Sequence, residues 1–134
     1  MDASLREIVV LRSAGCCEYC RISQRYFTEL FQIEHIVARQ HRGQTIESNL
    51  ALACARCNRY KGPDLASLDP LTNELVRLFN PRTDIWTDHF QEDPSGAIRG
   101  TSAIGHATVY VLNMNAPRRI ELRSAIKKIS DTEA

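Results

Sequence analysis

This chain has no long hydrophobic run, no low-complexity tract and no large excess of charge of either sign. Near its N-terminus the longest unbroken apolar run is Ile8-Val9-Val10-Leu11. Four residues are too few for the core of a secretory leader or for a membrane span, which needs about 20. No targeting segment is visible, so a reducing cytoplasm is the expected compartment and no membrane partner is expected. In that compartment closely spaced cysteines read as metal ligands rather than as disulfides. There is no internal repeat beyond a doubled C-x-x-C, and no separate DNA-reading module. With 134 residues the chain has room for one domain with a modest core, which a structural metal would help to hold.

The net charge of +1 conceals an uneven spread. Residues 12–62 hold eight Lys/Arg against four Asp/Glu, residues 63–96 two against seven, and residues 97–134 six against three. Basic charge therefore accompanies the cysteine-rich region and the C-terminal tail. A local field of that sign attracts a polyanion.

Cys17/Cys20 and Cys54/Cys57 form two C-x-x-C pairs separated by 33 residues. One such pair suits redox chemistry. Two, brought together by a chain folding back on itself, suit a tetrahedral Zn²⁺, which accepts four thiolates. Four thiolates leave no open position, so this ion is structural. The alternative is reduced, metal-free cysteines packed in a core. Cys16 is left over, either as a spare thiol or in exchange with Cys17 as a ligand.

Hydrophobic spacing predicts a helix over 4–13, opened by the capping box Ser4-Leu-Arg-Glu7 and ended by Gly15. Gln32–Val37 reads as a strand, with Ile33, His35 and Val37 on one side and Gln32, Glu34 and Ile36 on the other. Residues 38–48 form a polar loop turning at Gly43. A second strand spans Asn49–Ala53, and Cys54–Lys61 is a knuckle running into a short helix closed by Gly62-Pro63. This is a ββα unit in an α+β fold. Beyond it, Asp69–Asn73 and Asn80–Arg82 read as breaks, and Glu74–Phe79 as extended. Trp86 and Phe90 read as packing aromatics. Asp93-Pro-Ser-Gly96 marks a hairpin between about 88–92 and 97–100. Thr101 caps one helix and Asn115 another, the latter with Leu122, Ala125, Ile126 and Ile129 along one stripe.

Glu34 and His35 adjoin, and neighbours on a strand face opposite ways, so their duties can divide. A neutral imidazole is a competent base for water near pH 7. A carboxylate is a hard donor suited to Mg²⁺ or Mn²⁺. The Asn49 amide could hold the imidazole in one orientation. Asn58 follows Cys57, so the knuckle fixes it, and its carbonyl oxygen could be a second ligand to the catalytic cation. His41 could touch a phosphate or lie in solvent. His89 reads as a packing residue and His106 as surface.

The E-H-I at 34–36, N-L-A-L-A-C at 49–54 and C-x-x-C-N-x-x-K-G at 54–62, with the knuckle at 17–20, resemble the HNH endonucleases. L-F-N-P-R at 78–82 and W-x-x-H-F at 86–90 resemble a bacterial subgroup with a C-terminal extension. The resemblance implies a ββα-metal core at 17–62, preceded by an N-terminal helix over 1–16 and followed by hairpin and helices over 63–134. It implies His35 as general base, Glu34 and Asn58 as ligands of a catalytic Mg²⁺ or Mn²⁺, Asn49 orienting the base, and Cys17, Cys20, Cys54 and Cys57 on structural Zn²⁺. Arg59 and Lys61 match helix positions where a cation meets a phosphate of duplex DNA. This chain departs from the family in having Glu34 where aspartate is commoner, and Ala38 and Arg42-Gly43 where relatives carry proline and a glycine pair. Two other readings compete: a non-catalytic zinc module that binds nucleic acid or protein, and an RNA-cleaving toxin. Oligomeric state is not legible.

Overall fold

The structure, a computed structural model, describes residues 2–133. Helix α1 spans Ala3–Arg12. It is opened by Asp2 and not by the predicted Ser4–Glu7 box: the Asp2 carboxylate accepts from Ser4 N at 2.8 Å and Leu5 N at 3.4 Å. A charged acceptor beside the positive end of the helix dipole is favoured there. Val9 is fully buried. Arg6 donates to the Phe31 carbonyl and Arg12 to that of Leu50, so α1 is tied to the central hairpin.

That hairpin pairs β1 (Gln32–His35) with β2 (Leu50–Ala53), antiparallel, in the register Gln32 to Ala53 and His35 to Leu50. All four β2 residues are buried, and both α1 and α2 (Ala55–Lys61) pack against it. The connecting loop carries 3₁₀ turns at Arg39–His41 and Glu47–Asn49. Gly43 is indispensable to it, because a Cβ there would lie 1.7 Å from the Val37 carbonyl oxygen. The first knuckle closes through Cys17 N to Ile22 O at 3.0 Å and Arg21 N to Cys17 O at 2.9 Å. In the second, Cys54 is itself the N-cap of α2, its sulfur accepting from Cys57 N at 3.4 Å.

After α2 come two further hairpins and two helices. Strands β3 (Ala66–Leu68) and β4 (Leu75–Arg77) flank the predicted Asp69 turn; only the second strand was legible. Strands β5 (Phe90–Glu92) and β6 (Ile98–Gly100) flank Asp93–Gly96 as expected. Helix α3 (Ala103–Val111) is capped by Ser102 rather than Thr101; the Ser102 hydroxyl accepts from Gly105 N at 3.0 Å. Asn115 does not cap α4 (Pro117–Glu133). Its carboxamide clamps both backbone groups of Ile98, each at 2.8 Å. Tyr19, Phe79 and Phe90 form a buried aromatic core, with Phe79–Phe90 centroids 5.1 Å apart and edge-on. Trp86 packs on Phe90 and donates Nε1 to the Tyr19 carbonyl at 2.7 Å, joining the extension to the first knuckle. Among the described residues no helix is long and apolar enough to cross a membrane.

Candidate active site and metal centre

The sulfurs of Cys17, Cys20, Cys54 and Cys57 all lie within 4.8 Å of one another, and all four residues are buried. Cys20 and Cys54 Sγ are 3.8 Å apart. A tetrahedron built on Zn–S bonds of about 2.3 Å has S···S edges of roughly 3.8 Å, so these residues fit Zn²⁺. Bare thiols do not share this space easily. Burial pushes the Cys17 pKa up, while hydrogen bonds from Cys17, Cys20 and Cys57 pull that of Cys54 down. A divalent cation resolves the conflict by taking every sulfur as thiolate. Arg119 adds a further donor, Nη1 to Cys54 Sγ at 3.6 Å. Cys16 stands outside the cluster, half-buried, with its sulfur 3.8 Å from the Ala14 carbonyl.

On β1 the two neighbours part as strand geometry requires. Glu34 turns inward and is 5 % exposed. Its Oε1 accepts from the Tyr19 hydroxyl and its Oε2 lies 3.4 Å from Lys61 Nζ. Burial raises the Glu34 pKa, with Lys61 and Tyr19 acting against that rise. Lys61 also donates to the Ile36 carbonyl at 2.9 Å and is 2 % exposed. The expectation that Lys61 meets a phosphate is therefore corrected: its ammonium is enclosed and engaged. The sign was present in the sequence, since Lys61 lies four residues after Cys57 and shares the buried face of α2.

His35 is half-buried at the end of β1, with Nε2 2.8 Å from the Thr45 hydroxyl oxygen. Burial, and secondarily the Arg39 charge, hold its pKa below 6.5. Asn49 does not hold this ring. Its Oδ1 accepts from Val37 N at 2.9 Å, and its Nδ2 donates to Val37 O at 3.0 Å and Gln44 O at 2.9 Å. It locks the loop that carries Thr45, so any effect on His35 is indirect. Asn58 donates Nδ2 to Gln32 Oε1 across the β1–α2 contact. Arg59 and His41 are exposed, Arg59 lying over the Tyr60 ring at 5.4 Å.

A catalytic divalent ion needs the Glu34 carboxylate free. Here both its oxygens are engaged by a phenol and an ammonium, and the group is sealed from solvent. Glu34 and Asn58 in this arrangement do not fit Mg²⁺ or Mn²⁺ as a ready pair of ligands. Sequence reasoning did not anticipate Tyr19, Gln32, Arg39, Thr45 or Arg119. Tyr19, the apolar residue inside C-E-Y-C, carried the only local signal.

Residues 17–64 match the HNH endonuclease family. This stretch is accordingly an HNH-type domain with the ββα-metal fold, its four cysteines gathered as a zinc site. The chain is also similar to the Septu protein PtuA of Bacillus mycoides (strain KBAB4), 32% identical over 90 residues, covering 60% of this chain and 13% of that protein. It thus spans only a small part of that relative's length. No solved structure matches the chain.

Proposed function

We propose that this protein is an endonuclease that hydrolyses phosphodiester bonds of duplex DNA, with the whole chain acting as one nuclease unit. The observation that carries this reading is His35: an imidazole at a strand end whose pKa is held down by burial and by Arg39, hydrogen-bonded to Thr45 in a loop fixed by Asn49. A neutral imidazole takes a proton from water; the water oxygen bonds to phosphorus; the bond from phosphorus to the 3′ oxygen breaks, that oxygen takes a proton from solvent as it leaves, and the imidazolium returns its proton to solvent. Products carry a 5′ phosphate and a 3′ hydroxyl. The reaction uses external water and needs no 2′ hydroxyl. General-base catalysis contributes about 10²- to 10⁴-fold. Arg39, Arg59 and His41 are the side chains offered to the backbone phosphates. Zn²⁺ on the four cysteines holds the hairpin and helix together. Mg²⁺ or Mn²⁺ is the family's catalytic ion, but no step is assigned to it while Lys61 holds Glu34. Free thiols serving as zinc ligands suit a cytoplasmic setting.

A supercoiled-plasmid nicking assay on zinc-loaded protein, with Mg²⁺ or Mn²⁺ added, tests the proposal. Wild type should nick and His35→Ala should not. The Glu34–Lys61 ion pair favours a second reading, a zinc module that binds nucleic acid without cutting it. Duplex binding with no nicking under any divalent ion would select that one.

A further inference from the structure

A cleft of about 660 Å³ lies between the first knuckle and α4. Arg21 and Arg25 line one wall and Lys127 and Lys128 the other, with Arg123 between them; among the described residues Glu92 is the one carboxylate in the lining. Charge of one sign on facing walls concentrates the field inside a groove. Arg123 is 3 % exposed, and its guanidinium holds the Gly96 and Met114 carbonyls, yet its Nη1 has no hydrogen-bond partner. The knuckle fixes the position of Arg21, whose guanidinium lies 4.7 Å from the Trp86 ring centre. Arg25 lies over Tyr26, also in the lining, at 5.3 Å.

A chain of contacts runs from the α4 side of the cleft to Gln32 and Asn58, at the start of the strand that ends in His35. One helical turn before Arg123, Arg119 lies over Phe27 at 4.8 Å and donates to Cys54. Phe27 packs on Phe31, whose N–H is held by Gln24, and the next residue, Gln32, receives the Asn58 amide.

We infer that this cleft is a nucleic-acid-binding groove, gripping the phosphate backbone of the same duplex whose cleavage is assigned to His35. The inference rests on the nuclease reading for the identity of the polyanion. Among the described lining residues five cations stand against one carboxylate, which selects for polyanions.

The test is fluorescence anisotropy of a labelled duplex oligonucleotide with zinc-loaded full-length protein, in a His35→Ala background without added Mg²⁺ or Mn²⁺, across a salt series. Arg25→Gln with Lys128→Gln should weaken binding on the order of tenfold and lower the salt slope by about one per charge removed. Zinc content should not change, and the charge-keeping pair Arg25→Lys with Lys128→Arg should restore most of the affinity. Unchanged affinity and slope in the Gln pair would overturn the groove. Equal binding of polyglutamate at matched charge would overturn its assignment to nucleic acid. Nicking by wild type alongside unchanged binding in the Gln pair removes the groove alone. Lost binding in that pair, with no nicking by wild type, keeps the groove and removes the nuclease reading.

Discussion

Lys61 Nζ lies 3.4 Å from Glu34 Oε2 inside the protein, with the two side chains 2 % and 3 % exposed. The pair joins α2 to β1 at the residue next to His35. Removing one partner of a buried pair strands the other charge, which costs about 3–5 kcal/mol. Lys61→Met should therefore destabilise the protein by that order in urea unfolding. Glu34→Gln with Lys61→Met should recover much of the loss.

Glu34 also gives a pH signature. Its folded pKa is raised above 4.5, chiefly by burial. A carboxyl of this kind binds its proton more tightly in the native state, so its contribution is fully present below the unfolded pKa. That contribution is lost as pH rises through the raised folded value. The stability difference between wild type and Glu34→Gln should shift against wild type as pH rises above about 4.5, where the unfolded carboxyl ionises. A flat difference would show that burial is not the main influence on this group.

His35 has a pKa held below 6.5. The acid limb of kcat/KM for nicking should therefore have its midpoint below 6.5. The limb should vanish with the activity in His35→Ala. A midpoint well above 6.5 would mean that another group is the base.

Asn49 makes three hydrogen bonds to the backbone of the 36–49 loop. Asn49→Ala leaves some of those groups without partners, at a cost of about 1–3 kcal/mol. It should speed proteolysis between residues 38 and 48 while leaving zinc bound. Gly43→Ala should act at the same place, because its Cβ cannot coexist with the Val37 carbonyl. Loss of zinc from either variant would contradict a purely local effect.

Removing Zn²⁺ with a strong chelator should unfold residues 17–62 together, since binding of a structural ion is coupled to folding. Far-UV circular dichroism should fall with zinc content. Retained structure in the zinc-free protein would mean that the apolar core alone holds the hairpin and α2.

The cysteine centre, the hairpin and α2 were legible because each has a local signature: spacing, alternation and a knuckle that opens a helix. The Asp93–Gly96 hairpin was legible for the same reason. Lys61 was misread because the resemblance placed it at a helix position where a cation meets a phosphate; only the α2 face it shares with Cys57 marks it as enclosed. The work of Asn49 was hidden because a carboxamide bonds to backbone as readily as to a ring, and sequence does not choose between them. Asp2, Ser102 and Asn115 show that several capping residues compete near each helix start, and tertiary contacts pick among them. Strand β3 has three residues, too few for its alternation to stand out. Arg123 lies beside the stripe assigned to α4 rather than in it, and its charge concealed its burial, while Ala125 and Ile129 of that stripe are exposed.

The central claim is that His35, held by a zinc-stapled hairpin and helix, activates water against a DNA phosphodiester. Its most direct test is the nicking rate of supercoiled plasmid by zinc-loaded wild type and His35→Ala, measured side by side near pH 7.5 with end-group analysis of the products. A loss of about 10²- to 10⁴-fold in the variant, with 5′ phosphate and 3′ hydroxyl ends from wild type, is the predicted result. Equal cutting by both proteins, or none by wild type with any divalent ion, would contradict it.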